Sequence, residues 1–446
     1  MFLPPSAQKC MQALLSAGYK AYAVGGCVRD SLLGLTPHDY DLCTNALPEE
    51  TARVFDGYTL VRSGEKHGTI GVVVEGEVIE ITTFRTEGGY QDSRHPDWVK
   101  FVSHIQDDLS RRDFTVNAMA YSPQEGYIDP FGGQADLENK ILRTVGDPEL
   151  RFSEDALRIL RGVRFGVRFD LTPETTTLQA MKKLAPTMDR LAKERVFEEL
   201  CKLLPLVNAH DLCTYQDILV QAVPALSDCI GFQQHNPHHR YDVYTHTAQV
   251  VENVPADLAL RWAALLHDCG KPDTFFLDEN GRGHFHGHAK VSAEKADALL
   301  SALKAPNALR ERVVFLIGHH MTELIPDKKL LRKRLGKCGV EETFQLLRLQ
   351  EADFGGKGMG ETSGLFAEIR QLMEEILEED ACLRVQDLQI DGRDLMAIGF
   401  PAGKMLGNCL AYLLEQVQDE EIPNEKEALL AAAKLFLKNN EQKTDL

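Results

Sequence analysis

The run from Val24 to Thr44, VGGCVRDSLLGLTPHDYDLCT, limits what this chain can fold into more than any other stretch. Just before it, Ala21 to Val24 reads as a short apolar strand, and Gly25-Gly26 lets the backbone turn tightly. A helix beginning at Val28 would leave its first N–H groups without intrahelical partners, facing an anionic ligand. A triphosphate fits there, against Gly25 and Gly26 and with Arg29 as its counter-charge. At the far end, Asp39 and Asp41 are separated by one residue. If His38 to Leu42 is extended, both carboxylates leave one face of the strand and can share divalent cations. An Asp-x-Asp pair alone is common in turns, and a lone Gly-Gly is usually only a turn. Their succession in one segment gives each its weight.

The succession GGxVRDxLLG then DxDLxT resembles motif A of the CCA-adding tRNA nucleotidyltransferases and of the related bacterial poly(A) polymerases. Four later stretches resemble further motifs of that family, in order: Leu109 to Tyr121, Ile128 to Asp136, Ser153 to Arg168, and Leu191 to Leu204. The resemblance implies transfer of a nucleotide to a ribose 3′-hydroxyl with release of pyrophosphate. Such chemistry uses one cation to lower the hydroxyl's pKa and another to neutralise the leaving oxygens, so two Mg²⁺ ions held by Asp39 and Asp41 are expected.

Downstream, Thr69 to Val74 and Val78 to Thr83 are β-rich runs around the turn Glu75-Gly76-Glu77, a hairpin. Glu80 alternates with Ile79 and Ile81 and so points away from them. An isolated Glu in such a strand is usually solvated; next to Asp39 and Asp41 it is the candidate third carboxylate, and the resemblance, with ITTFR following, supports it. From Thr86 to at least Asp97 the chain is polar and Gly-rich and is expected to be a mobile loop. The resemblance implies that a loop here serves addition of the terminal A. In the second motif, LSRRDFTVNAMAY, motif position implies that Arg112 reaches a phosphate or ribose and that Asp113 accepts from a ribose hydroxyl. The third, IDPFGGQAD, is similar to the family's hinge between head and neck.

In the fourth, SEDALRILRGVRFGVR, Ser153 is the expected N-cap of a helix on which Asp155, Arg158, Arg161, Arg164 and Arg168 share a face. A basic helical face is more often solvated than bound. The resemblance, carried by EDxxRxxRxxRF, implies that Asp155 and Arg158 act as an amino-acid template for the incoming base. Cytosine and adenine each offer an amino donor beside a ring-nitrogen acceptor, matching a carboxylate and a guanidinium; guanine and uracil offer the reverse. Arg161 and Arg164 are expected to touch phosphates. The fifth motif is a supporting helix with Glu194 and Arg195 near its start.

Ten of the fifteen histidines fall between His235 and His320. LLHDCGK, after Tyr244-Thr245-His246, resembles the HD phosphohydrolases. That resemblance implies metal ligation by His246, His267, Asp268 and Asp353, with His288 and His320 (preferred over the adjacent His319) completing a two-metal version, and Lys271 as the basic residue that follows. The divalent metal is not specified by the ligands, which suit borderline ions. The implied activity is hydrolysis of phosphate esters.

With 446 residues, 26% charged and 43% hydrophobic, the chain is long enough for three or four domains. A net charge of −18 weighs against a general nucleic-acid coat protein but allows a local basic groove. The ten cysteines include no CxxC pair and are expected to be free thiols, which fits a cytoplasmic location. No apolar run approaches membrane-spanning length, so no membrane partner is expected. Leu330 to Lys337, LLRKRLGK, is a basic cluster that could meet RNA or simply be solvated; the Gly-rich run after Gly355 reads as a linker, and Leu388 to Gln418 resembles the family's tRNA-gripping tail.

The expected fold is α+β: a nucleotidyltransferase α/β head (1–150), an all-helical neck (151–235), a helical HD domain (236–355) and a helical tail (356–446). The expected function is template-independent addition of CCA to the tRNA 3′ end from CTP and ATP. Alternatives are a poly(A) polymerase on the same scaffold, or an HD phosphohydrolase whose head only binds nucleotide or RNA. The sequence says nothing of oligomeric state.

Overall fold

The computed structural model describes residues 1–88, 98–237, 239–358, 364–379 and 382–444. The chain divides into two compact units, one of Met1–Pro224 with Ala302–Lys304 and one of Ala225–Ser301 with Ala305–Leu446.

In the first unit, α1 (Pro5–Ser16) starts on a proline, which loses nothing by lacking an N–H there, and buries Ala7, Cys10, Met11 and Leu14. β1 (Ala21–Val24) is buried throughout, as its apolar sequence requires. Gly25, at φ +73°, makes the turn, so α2 (Gly26–Leu32) begins two residues earlier than expected. β2 is Leu42–Thr44, not His38 to Leu42. The chain becomes strand only where it is paired on both sides, antiparallel to β1 (Ala23 with Leu42) and parallel to a later strand (Leu42 with Ile81).

Then come α3 (Pro48–Val54), β3 (Leu60–Val61), β4 (Thr69–Val74) and β5 (Glu77–Thr83). Glu75 (φ 55°) and Gly76 (φ 86°) form a two-residue turn between β4 and β5, with Glu77 already paired to Val74. Both φ values are positive, the twist a tight hairpin needs. β6 (Arg85–Gly88) and β7 (Trp98–Phe101) pair as a separate antiparallel ribbon. The start of the expected mobile loop is thus strand; the rest of it, 89–97, lies outside the described residues. After α4 (Ile105–Ser110), β8 (Ala120–Ser122) and β9 (Gly126–Ile128) complete a sheet whose order among the described residues is β3-β4-β5-β2-β1-β8-β9.

The IDPFGGQAD stretch, expected to join head and neck, is locally packed. Asp129 caps α5 (Gly133–Glu138) by accepting from the Gly133 and Gln134 amides at 2.7 and 2.9 Å, and a Cβ on Gly133 would strike the Thr115 carbonyl. α6 (Pro148–Glu154) is capped by Asp147, which accepts from the Leu150 amide at 3.1 Å. Ser153 therefore sits in the last turn of α6 and is not the N-cap. Asp155 is extended (φ −146°, ψ 102°), and α7 (Leu157–Phe169) starts afresh beyond it. Four helices follow: α8 (Thr175–Leu184), α9 (Lys193–Leu203), α10 (Ala209–Thr214) and α11 (Gln216–Ala222).

The second unit is largely helical: α12 (Val243–Asn253), α13 (Leu258–Leu266), α14 (Lys271–Thr274), α15 (His288–Ala302), α16 (Asn307–His319), α17 (Lys328–Cys338), α18 (Val340–Gly356), α19 (Leu365–Glu378), α20 (Gly392–Ala397), α21 (Lys404–Gln418) and α22 (Lys426–Thr444). Gly355 and Gly356 close α18, and the core of the Gly-rich run, 359–363, lies outside the described residues. Ile369, Met373 and Ile376 of α19 pack on Leu331 and Leu335 of α17, and Leu395, Cys409, Leu413 and Leu429 form a further core near the C-terminus.

Candidate functional site

Parallel pairing of Leu42 with Ile81 places Asp41 and Glu80 one step back on neighbouring strands. Asp41 is held there by its own carbonyl, which accepts from the Val24 amide at 3.0 Å. Its carboxyl is pushed up to about 6, first by loss of solvation and then by the carboxylates of Asp39 and Glu80, with Arg112 opposing. Asp41, with the carboxylates of Asp39 and Glu80 acting on it, marks a seat for cationic charge. Among the described residues the three are not one of the groups whose ligand atoms all lie within 4.8 Å of one another.

The turn above them is kept open for Arg112. A Cβ on Gly25 would lie 2.6 Å from Arg112 Nη1, which donates to the Asn117 carbonyl at 3.3 Å. Gly26 stands beside Arg29, whose Nη2 would be 3.6 Å from its Cβ. Arg29 itself is not the expected phosphate counter-charge. It is 4% exposed; its Nε and Nη2 donate to Asp30 Oδ1 at 2.8 and 2.6 Å, its Nη1 donates to Asn117 Oδ1 at 2.5 Å, and its face lies 4.1 Å from the Phe169 ring centroid. Arg112, partly exposed at the turn, also reaches Asp108 Oδ2 with Nη2 at 3.5 Å.

The charges on α7 are likewise engaged inside the unit. Arg161 donates Nε and Nη2 to Asp113 Oδ2 at 2.9 and 2.7 Å, and Asp113 Oδ1 accepts from Asn117 Nδ2 (3.1 Å) and the Phe114 amide (2.9 Å). Burial alone would raise the Asp113 carboxyl, but Arg161 and Asn117 hold it down at about 2. Asp113 is therefore saturated by protein donors and is not the open ribose acceptor expected from its motif position. Arg164 donates Nε to Glu199 Oε1 at 2.5 Å and is buried, so neither it nor Arg161 is displayed toward phosphates as expected. In both cases a long-range carboxylate, invisible to helical periodicity, claims the guanidinium.

Asp155 and Arg158 stand at the break between α6 and α7. Arg195 forks onto Asp155, Nη1 to Oδ1 at 3.3 Å and Nη2 to Oδ2 at 2.7 Å, while Asp155 Oδ1 also accepts from the Leu157 amide at 3.1 Å. Arg158 is fixed by Glu154 Oε2 (2.6 Å) and by the Arg151 and Arg111 carbonyls. Arg195 as the clamp of Asp155 is the functional residue that the sequence did not disclose; its only signal was its place near the start of α9.

In the second unit, all six expected metal ligands converge. His246, His267, Asp268 and Asp353 form one group whose ligand atoms lie within 4.8 Å of one another, and Asp268, His288 and His320 form another. The two oxygens of Asp268 divide the work: Oδ2 faces His246 Nε2 (3.3 Å) and His267 Nε2 (3.2 Å), Oδ1 faces His288 Nε2 (3.3 Å) and His320 Nε2 (3.9 Å). The Nδ1 atoms of His246, His267, His288 and His320 lie 3.1, 2.8, 2.8 and 2.7 Å from the carbonyls of Gly356, Ala264, Phe285 and Ile317. A carbonyl can only accept, so each Nδ1 carries the proton and each Nε2 presents its lone pair. His246 Nε2 and His267 Nε2 are buried without a hydrogen-bond partner among the described residues. That donor set and those orphaned atoms fit divalent metal. Burial disfavours charge on His267, yet with no cation in the cluster Asp268 and Asp353 drive its imidazole up to about 10, so a proton on Nε2 stands where a metal would take the lone pair. His319 instead turns Nδ1 to the Phe315 carbonyl at 2.9 Å. Lys271 bridges Asp268 (2.7 Å) and Gln234 (2.9 Å). His239 sets its ring edge-on to His246 at 5.6 Å; His238 lies outside the described residues.

The chain matches the family description Poly A polymerase head domain over residues 21–143, "Probable RNA and SrmB- binding site of polymerase A" over 170–211, and tRNA nucleotidyltransferase domain 2 over 284–433. A CCA-adding enzyme of Levilactobacillus brevis is 34% identical to it across 96% of both chains. The chain belongs to the CCA-adding enzymes. A second member, from Latilactobacillus sakei, is also 34% identical, over 95% of this chain and 96% of its own. The crystal structure of the Bacillus stearothermophilus CCA-adding enzyme in complex with CTP superposes with a TM-score of 0.72 at 27% identity, covering 99% of this chain and all of that one. The α+β fold, with a sheet-bearing head and a largely helical remainder, is that of the CCA-adding enzymes.

Two cations of the basic cluster at Leu330 to Lys337, Arg332 and Lys333, are paired internally, as is Lys328 just before it. Lys328 pairs with Glu375 and Glu379 at 2.8 Å, Arg332 Nη1 with Glu420 at 3.0 Å, and Lys333 with Asp419 at 2.8 Å. Among the described residues, no helix is long and apolar enough to cross a membrane.

Proposed function

We propose that the chain adds C, C and A in turn to the 3′ end of tRNA, from CTP and ATP and without a nucleic-acid template. The observation that carries this reading is the meeting, in the first unit, of Asp39, Asp41 and Glu80 beside the Gly25 turn and Arg112, in a chain related over nearly its full length to CCA-adding enzymes. Asp39, Asp41 and Glu80 would hold Mg²⁺, which supplies a lowered hydroxyl pKa and neutralisation of the pyrophosphate oxygens. Gly25, Gly26 and Arg112 receive the triphosphate. Asp155 and Arg158 read the base, each held in place by a partner of opposite charge, Arg195 and Glu154. Arg195 and the Leu157 amide occupy Asp155 Oδ1, while Oδ2 receives Arg195 alone, which leaves Oδ2 acceptor capacity for the exocyclic amine of cytosine or adenine. A uracil or guanine would set carbonyl against carboxylate and N–H against guanidinium, leaving buried groups unpaired at about 1–3 kcal/mol each.

The experiment uses tRNA transcripts ending before the first C, the second C and the A, each offered one labelled nucleotide with Mg²⁺. Addition of C, C and A on the respective transcripts is expected. Long A tails without C incorporation would instead identify a poly(A) polymerase.

The second unit supports a second activity. Four imidazoles and two carboxylates in two adjoining groups, with Lys271 beside them, suit an HD-type metal-dependent phosphohydrolase. We assign this to the segment 236–355, between a neck at 151–235 and a tail at 356–446 that grips tRNA, with the head at 1–150. Metal analysis and hydrolysis of a simple aryl phosphate by the purified chain and by His246→Ala test it; loss of both bound metal and hydrolysis in the variant is expected, and an unmetallated wild-type chain would refute it.

A further inference from the structure

We propose that Arg29 is a positioning residue that indexes the base-reading helix α7 against the phosphate turn, and thereby sets nucleotide selectivity. The inference rests on the reading of Asp155 and Arg158 as the base-reading pair.

Arg29 belongs to α2, the helix that leaves the Gly25 turn, and reaches α7 by two routes. The first is direct: its guanidinium lies over Phe169 at 4.1 Å and Phe165 at 5.3 Å, two rings stacked on each other at 6.1 Å. The second is a relay of hydrogen bonds. Arg29 Nη1 donates to Asn117 Oδ1, Asn117 Nδ2 donates to Asp113 Oδ1, and Asp113 Oδ2 receives the fork of Arg161. Arg161, Phe165 and Phe169 recur at intervals of four, so both routes arrive on one face of α7.

A buried guanidinium is a poor choice if stability alone is at stake, because its desolvation offsets much of what its partners return. What a planar fork supplies is direction: it fixes distance and rotation at once, which an ammonium on a flexible stem does not. Arg158 rides in the first turn of the same helix, and Asp155 stands in the break just before it. A slide or twist of α7 relative to α2 would carry them off the base edge while the triphosphate stayed in its turn.

Selectivity is a difference between nucleotides, and only the correct ones gain from the base-reading groups. Loss of register should therefore lower kcat/KM for CTP and ATP while leaving UTP and GTP nearly untouched. The variants are Arg29→Lys, which keeps the charge and loses the fork, and Phe169→Leu, which keeps apolar bulk at a half-buried position and loses the ring. Asp155→Ala is the reference. Single-turnover kcat/KM for all four nucleotides, on the transcripts described above, should show the ratio of correct to incorrect nucleotide falling about tenfold or more in both variants, with the incorrect rates within about twofold. The double variant should be no worse than Arg29→Lys alone, since Phe169→Leu removes a contact that Arg29→Lys already breaks.

Equal loss for all four nucleotides, the signature of less folded enzyme, would overturn the proposal, as would an unchanged ratio. If Arg29→Lys does not fold, Phe169→Leu alone decides. If Asp155→Ala leaves the ratio intact, the base-reading assignment itself fails; if Asp155→Ala collapses the ratio and Phe169→Leu does not, only the indexing role of Arg29 fails.

Discussion

Asp113 carries no water-facing role and yet is among the most constrained side chains in the first unit, 7% exposed and saturated by Arg161, Asn117 and a backbone amide. Removing it would strand the Arg161 guanidinium. Asp113→Ala should destabilise the first unit by about 3–5 kcal/mol, read from denaturant midpoints. Its carboxyl sits near 2 against 3.8 unpaired, so the stabilisation is complete above about pH 4 and is lost as pH falls through 2. Asp41 has the opposite sign. Held up near 6 against 3.8, its folded form prefers the proton, so without divalent cation the chain should gain stability as pH drops from above 6 toward 4. Mg²⁺ would take the proton's place. Thermal midpoints at pH 5 and 7.5 should therefore differ without Mg²⁺ in the direction of a more stable acidic form, once the acid loss seen in an Asp41→Asn control is subtracted; with saturating Mg²⁺ that increment should vanish. An increment unaffected by Mg²⁺ would remove Asp41 from the cation seat.

At the scale of elements, the phosphate turn depends on one absent side chain. Gly25→Ala meets both a positive φ and Arg112 at 2.6 Å, so kcat/KM for CTP should fall at least about tenfold, while the Arg112-independent stability of the second unit is unchanged. Elements of this kind were legible beforehand because local residues decide them: the apolar run Ala21 to Val24, the glycine pair, and the hairpin around Gly76. The convergence of the six second-unit side chains was legible too, since each was named by motif and the fold gathers them. What could not be read were partners distant in sequence. Strand β2 lies at Leu42–Thr44 because β1 and β5 flank it there. The helix expected from Ser153 breaks at Asp155, where Asp147 caps one segment and Arg195, forty residues on, holds the break. Arg29, Arg161 and Arg164 looked available for phosphate only because Asn117, Asp113 and Glu199 cannot be assigned to them from periodicity.

For the molecule as a whole, two candidate cation sites lie in separate compact units, a carboxylate group in the first and a buried imidazole cluster in the second. Substitution of Asp268, whose two oxygens serve both ligand groups, should abolish tightly bound metal in the second unit and leave CCA addition within about twofold; a collapse of CCA addition would make the two units one catalytic system. The most direct test of nucleotidyl transfer by the first unit is incorporation of labelled CTP and ATP into tRNA lacking its CCA end, by the wild-type chain and by Asp39→Ala and Asp41→Ala. Extension by C, C and A in the wild type, and none in either variant with folding and second-unit metal content intact, is the expected result. Persistent extension in the variants would contradict the assignment of those carboxylates as the seat of the reaction.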